Sequence, residues 1–174
     1  LMAFVCVTFT ACGSDDDDNG GDAGDVGAAG GNKVMSLNGQ TYSLGYGFWD
    51  ANHNQNGDYI SVEFSNYNLA NLTSLPTGRI DMLYFNIDGL TTLQPGTYST
   101  DIEIYSWDAS VEGIEYPGGY GKASVIIAQS GSNYTFTIPE IMVNYTDPNT
   151  NTTSKIPFSF SWTGSLIYDD FDEG

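Results

Sequence analysis

The stretch DANHNQNGD, residues 50–58, sets oxygen-bearing side chains at alternate positions: Asp50, Asn52, Asn54, Asn56 and Asp58. Alternating oxygens with a glycine that permits a sharp bend are how calcium loops are built, and Gly57 supplies the glycine. Three asparagines in place of aspartates lower the charge, and no glutamate follows at the bidentate position. The same letters suit a plain connection whose Asn-Gly step supplies a positive φ. The segment is therefore a calcium candidate and a turn candidate, and no other metal or cofactor is expected. DPNTNTT, residues 147–153, is a thinner version of the same pattern. His53 is the only histidine, so a Ser-His-Asp arrangement would have to use it, in surroundings too polar to form a dry site. Glu63, Asp81, Asp101 and Glu103 fall on segments that read as strands, and a facing pair could support glycoside hydrolysis. With 22 acids in the chain, close pairs arise without any chemical role, so these are read as solvated faces and no residue is assigned to catalysis. The aromatics are the last candidates. Trp49 and Trp107 lie near strand ends, and GIEYPGGYG (113–121) puts Tyr116 and Tyr120 in a glycine-rich loop. Exposed loop aromatics stack on sugar rings or anchor protein partners, whereas Trp in a small β domain commonly caps the core. Trp107, Tyr116 and Tyr120 are the expected ligand contacts, with a neutral glycan or a surface protein as the partner.

Charge narrows the partners. Twenty-two acids stand against Lys33, Arg79, Lys122 and Lys155, a net charge of −18. Nucleic acid needs a basic footprint and is excluded as a partner; acidic polysaccharides are repelled for the same reason. A neutral partner avoids that repulsion.

The elements that would position these residues begin after an unusual N-terminus. Leu1 to Ala11, LMAFVCVTFTA, is uncharged and too short to cross a hydrocarbon core of about 30 Å as a helix. Its length suits the apolar region of a secretory signal. The positive region that normally precedes it is missing and the chain opens on Leu1, so the sequence is read as lacking its first residues. Of the two cysteines, Cys6 would leave with the signal and Cys12 would remain, so no internal disulfide is possible. FTAC, residues 9–12, resembles the lipobox of bacterial lipoproteins, with Phe9 where Leu is usual. The resemblance implies cleavage before Cys12 and acylation of it. Three acyl chains at about 0.8 kcal/mol per buried methylene would anchor the protein permanently. SDDDD, residues 14–18, resembles the surface-export signal of Bacteroidetes lipoproteins, which implies an outer-membrane protein facing the cell exterior; the alternative is the periplasmic face. The Gly/Asp segment that follows has too little apolar surface to fold and reads as a disordered tether spanning roughly 25 Å.

Beyond the tether, apolar residues alternate with period two. YISVEFS sets Ile60, Val62 and Phe64 against Ser61 and Glu63; IPFSFSWTG sets Ile156, Phe158, Phe160 and Trp162 on one face. ASVIIAQSGSNYTFTI predicts a hairpin with Val125, Ile127, Phe136 and Ile138 inward, and VMSLNGQTYSL predicts another around Asn38-Gly39. RIDMLYFNI is apolar on both faces and is placed centrally in a sheet. Eight to nine strands at this spacing give an all-β fold: an antiparallel β-sandwich or, alternatively, a closed or partly open lipocalin-like barrel. The expected organisation is a signal at 1–11, a lipidated tether at 12–33, one β domain at 34–168 and an acidic tail at 169–174. MSLNGQTYSL, LQPGTYST, SVIIAQSGSNYTFTI and FSWTGSL together resemble recurring elements of small all-β Bacteroidetes lipoproteins, which implies fold and location but no shared activity. The expectation is a non-enzymatic domain that binds outside the cell. Its alternatives are a fimbria-like assembly subunit, a glycan-binding accessory module of a nutrient-uptake system, and a carboxylate glycoside hydrolase.

Overall fold

The structure is a computed structural model and describes residues 32–70, 78–108, 115–116, 118–147 and 150–169. Cys12, the tether and the acidic tail beyond Asp169 lie outside the described residues. Eleven strands follow in order: β1 (Lys33–Leu37), β2 (Gln40–Ser43), β3 (Tyr46–Asn54), β4 (Gly57–Ser65), β5 (Arg79–Asp88), β6 (Gly96–Asp108), β7 (Glu115–Tyr116), β8 (Gly119–Ser130), β9 (Asn133–Thr146), β10 (Thr153–Gly164) and β11 (Ile167–Tyr168). The all-β expectation is what the structure shows. The strands form one continuous sheet, ordered β11-β3-β4-β5-β6-β8-β9-β10-β1-β2, with β7 paired to β6. Of the two expected layouts, a single curled sheet lies nearer the partly open barrel. Its one parallel ladder, between β11 and β3, is a departure from purely antiparallel pairing.

Local chemistry sets the hairpins. Asn38 (φ 51°) and Gly39 (φ 77°) both occupy the left-handed region, the turn whose twist matches its flanking strands, and they join β1 to β2 as expected. Gly131 (φ 61°) opens the two-residue turn between β8 and β9. β5 sits between β4 and β6, buried on both faces over most of its length, which is why its sequence shows no clean alternation.

The nine side chains expected in the core, Ile60, Val62, Phe64, Val125, Ile127, Phe136, Phe158, Phe160 and Trp162, are all at most 3% exposed. They meet because the sheet curls. β4 and β10 are five steps apart in strand order, about 24 Å in a flat sheet at roughly 4.8 Å per step. Yet the rings of Phe64 on β4 and Phe160 on β10 have centroids 4.7 Å apart. Phe64 also touches Phe136 and Trp162, each at 5.0 Å. Trp162 is fastened in turn, its indole Nε1–H donating to the Leu44 carbonyl at 3.0 Å. One irregularity shapes the far wall. Phe158 pairs with Ile141 but Phe160 with Ile138, so β9 carries an extra residue at Pro139-Glu140. This bulge resets the inward face from Phe136 and Ile138 to Ile141 and Val143, at a proline that has no N–H to give the ladder.

Truncating Phe160 to Ala removes the ring on which Phe64 closes the sheet. The loss should be about 3–5 kcal/mol of unfolding free energy, read by urea denaturation. A loss below about 1 kcal/mol would mean that the curl does not rest on this pair.

Candidate functional site

Because Phe64 points inward, its neighbours Ser61, Glu63 and Ser65 point to the outer face. There the register runs in rows across four strands. One row is Phe48, Glu63, Tyr84 and Glu103; the next is Asp50, Ser61 and Asn86. This outer face is not solvated. Phe48, Ile80, Met82, Ser61 and Ser65 are buried, and Asp50 is only 1% exposed. The expectation that Glu63 and Asp81 lie on solvated faces is corrected: they are 8% and 9% exposed. Asp101 and Glu103, in contrast, are exposed as expected.

A cleft of about 400 Å³ opens on this face, lined by Asn52, Tyr59, Ser61, Glu63, Tyr84, Glu103 and Tyr105. Its floor is held by a chain of hydrogen bonds. Asn52 Nδ2 donates to Ser61 Oγ at 3.2 Å, and Ser61 donates to Asn86 Oδ1 at 2.9 Å. The Tyr84 hydroxyl donates to the same Asn86 oxygen at 2.7 Å. Both hydroxyls are thereby committed to Asn86 and the Tyr84 ring is fixed as a wall. Glu63 is treated differently: its Oε1 is buried and has no hydrogen-bond partner, as is Oδ2 of Asp50 one row away. Burial, with the charge of Asp169 added, pushes the Glu63 carboxyl from 4.5 up to about 7. Burial also raises the Tyr105 phenol, helped by the charges of Glu63 and Glu103. A shallower basin of about 320 Å³ adjoins the cleft and shares Tyr84 and Glu103 with it, adding Asn86, Asp101 and Lys122 among others.

The other sequence candidates fall elsewhere. The Asp50–Asp58 segment is not a loop but a two-residue-turn hairpin, with Asp50 opposite Ser61 and His53 opposite Asp58. The oxygens that alternated like calcium ligands alternate because a strand has period two. Asp50, Asn52 and Asn54 share the outer face of β3, Asn56 is in the turn, and Asp58 is about 10 Å along the ladder from Asp50. The loop is therefore corrected to a hairpin, in which Asn54, Asn56 and Asp58 line a pocket of about 260 Å³ with Asp88 while Asp50 lies away from it. Asp58 is engaged by His53 at 2.6 Å, and Asn54 Oδ1 accepts from the Asn56 N–H at 2.8 Å. Asp147 closes a turn by accepting from Thr150 N–H. Among the described residues, no three His, Cys, Asp or Glu side chains converge on a possible metal position. Of the four carboxylates proposed for hydrolysis, only Glu63 and Glu103 share the cleft. Asp81 is used structurally: Arg79 Nε donates to it at 2.7 Å and Ser106 at 2.5 Å.

The glycine-rich loop is also largely strand. Trp107 pairs with Glu115, Ser106 with Tyr116, and Tyr120 with Glu103. Gly118 is obligatory here, because a Cβ would fall 1.2 Å from the Ile104 carbonyl oxygen. Tyr120 is 52% exposed and flanks Glu103 at the cleft's rim. The side chains of Trp107 and Tyr116 lie outside the described residues. Sequence reasoning missed Tyr59, Tyr84 and Tyr105. The signal was present in the odd–even order of YISVEFS and DMLYFNI, where tyrosines and polar residues fall opposite the core positions.

The raised Glu63 carboxyl has a thermodynamic signature. The unfolded chain releases this proton near pH 4.5 and the folded chain only near pH 7, so the folded state binds more protons between them. The associated stability is complete below pH 4.5 and lost as pH rises through 7, a penalty of order 3 kcal/mol at about 1.4 kcal/mol per pH unit. Glu63→Gln should flatten that slope and leave the protein more stable than wild type at pH 8, by urea unfolding at pH 5 and pH 8. An unchanged slope would assign it to another group.

Compared with protein-family models, with curated proteins and with solved structures, the chain has no match.

Proposed function

We propose that the chain is a non-enzymatic binding domain, displayed outside the cell by a lipid anchor at Cys12, with the outer-face cleft as its ligand site. The cleft carries this reading: Tyr59, Tyr105 and Tyr84, the last held by Asn86, line it together with hydroxyl, amide and carboxyl groups. Apolar ring faces beside convergent polar groups are what a small polar ligand, such as a saccharide unit, requires. Exposed Tyr120 extends the surface from the rim. The acidic tether between Cys12 and Lys33 favours display away from anionic headgroups at the outer-membrane surface, facing the exterior. Assembly by strand exchange is less well supported, because the two ends of the described sheet, β2 and β11, are strands of four and two residues.

A carboxylate hydrolase is the second reading, favoured by Glu63 and Glu103 lining one cleft. A reducing-end assay on candidate oligosaccharides separates the two: binding without turnover supports the first, and turnover abolished by Glu63→Gln supports the second.

Two measurements test the leading reading. Cys12→Ala in the full-length gene should move the protein out of the outer-membrane fraction; full retention there would end the lipid-anchor reading. In a glycan and surface-protein binding screen, Tyr84→Ala should weaken any ligand found at least about tenfold, roughly 1.4 kcal/mol. Met142→Ala, exposed on β9 away from the cleft, should leave binding unchanged. A ligand indifferent to Tyr84→Ala would place the site on another surface.

A further inference from the structure

Glu63 poses a problem that the fold does not solve. Its side chain lines the cleft, it is more than nine-tenths buried, and its Oε1 receives no hydrogen bond. A buried acceptor left without a donor carries its full desolvation penalty, which is larger when it is charged. The donors nearest in the lattice of rows are committed elsewhere: Ser61 and Tyr84 both give their protons to Asn86, and Asn52 gives to Ser61. No described group donates to Oε1, which leaves this oxygen open to a donor that enters the cleft.

We infer that the cleft takes a ligand bearing a protonated amine, which donates N–H to Glu63 Oε1 and lies against the faces of Tyr59, Tyr84 and Tyr105. This rests on the reading of the cleft as the ligand site and names the charge of what enters it. Three features select an ammonium over a neutral hydroxyl. The cleft's lining holds two carboxylates, Glu63 and Glu103, and no lysine or arginine. Tyrosine rings attract a cation through their negative faces, the more so when the cation is desolvated. The chain's net charge of −18 raises the local concentration of cations and repels anions. A metal ion is a poorer occupant, because no three ligating side chains converge among the described residues.

Binding is then linked to a proton. An ammonium favours the ionised carboxylate, whereas the empty cleft holds Glu63 protonated up to about pH 7. The titratable groups facing Glu63 are Tyr46 and Asp50 on β3, Tyr59 on its own strand, Tyr84 on β5, Glu103 and Tyr105 on β6, and Asp169 after β11. All are acids or phenols; the cation on this face, Lys122, lines the adjoining basin, opposite Asp101 and beyond β6 from Glu63.

The test uses matched probes, pentane-1,5-diamine and pentane-1,5-diol, with glucose as a neutral saccharide, in titration calorimetry on the whole chain. The diamine stays protonated across pH 5–8, since such amines titrate near 10. It should bind at pH 8 at least about tenfold more tightly than the diol or glucose, a difference of about 1.4 kcal/mol. Its affinity should fall about a hundredfold by pH 5, given a carboxyl at about 7. Near pH 7 binding should release about half a proton, read from buffers of different ionisation enthalpy. Glu63→Gln should abolish the pH dependence and the proton release, while Glu103→Gln, at an exposed position, should weaken binding a few-fold and keep both. Diol or glucose binding as tightly as the diamine would overturn the amine class while leaving the cleft as a binding site. No binding of any probe at millimolar concentration would overturn both. Diamine binding whose pH profile survives Glu63→Gln would overturn the role of Glu63.

Discussion

The contact between Phe64 and the β9–β10 wall is the constraint on which the rest depends. Without it the strands make a sheet with two half-buried faces; with it, strands five steps apart become the two sides of one core. Aromatic rings meeting edge-on or tilted at 4.7–5.0 Å hold more area per residue than aliphatic pairs could. The same contact fixes the functional face. A strand has period two, so pressing Phe64 and Val62 inward forces Glu63 and Ser61 outward, onto the line where Tyr84 and Glu103 stand beside them. Core and cleft are two sides of one register.

The curl has to be held at its open ends, and backbone groups do this. The Leu44 carbonyl accepts from Trp162, its N–H donates to the Lys33 carbonyl, and Thr163 N–H donates to the Asn32 carbonyl. Lys33 adds a hydrogen bond to the Gly45 carbonyl and lies 5.8 Å from the centroid of the Trp162 ring. The short Ser165-Leu166 link then carries the chain from β10 across to β3, where β11 pairs in parallel and Tyr168 packs edge-on against Trp49 at 5.0 Å. That crossover brings Asp169 close enough to raise the Glu63 carboxyl. A strand of two residues thus connects the closure of the sheet to the electrostatics of the site.

How much of this the sequence disclosed depended on which physical term dominated each segment. Where one face is buried and the other is wetter, alternation is unambiguous, and β8 and β10 could be read residue by residue; on β4 only the core face was read correctly. Asn38-Gly39 was legible because only a primed turn uses both residues at positive φ. The failures have a common cause. On β3 and β4 the polar residues alternate as regularly as ligands do, and a single chain cannot show whether alternate oxygens converge on an ion or spread along a ladder. Glu63 looked solvated because burial of a second sheet face is a tertiary event, set by neighbours such as Phe48, Ile80 and Met82, and Asp81 because a carboxylate at the end of the core face beside Leu83 shows its partners only in the fold. The Gly118 turn hid two strands because its glycine serves close backbone approach rather than loop freedom. The Pro139 bulge broke the period in the middle of β9, so only half of that strand could be assigned a face.

Glu63 and Asp81 make the strongest internal comparison in the molecule. They are adjacent-strand carboxylates with nearly equal exposure, 8% and 9%. Asp81 faces the same side as Leu83 and is matched by Arg79, by Ser106 and, through its backbone N–H, by Asn66. Arg79 also donates to Ser106, so the partners of Asp81 are bonded to each other, which is how structure uses a buried acid. Glu63 faces the other side, where the neighbouring hydroxyls are turned toward Asn86 and the neighbouring charges are negative. A chain under selection for stability alone could replace it by glutamine. Local frustration of this kind, in a sequence whose other levels agree with one another, is where function is expected to sit. Of the three buried acids among the described residues, Asp81 is held in its network, Asp50 and Glu63 each keep an oxygen without a partner, and Glu63 is the one that lines the cleft.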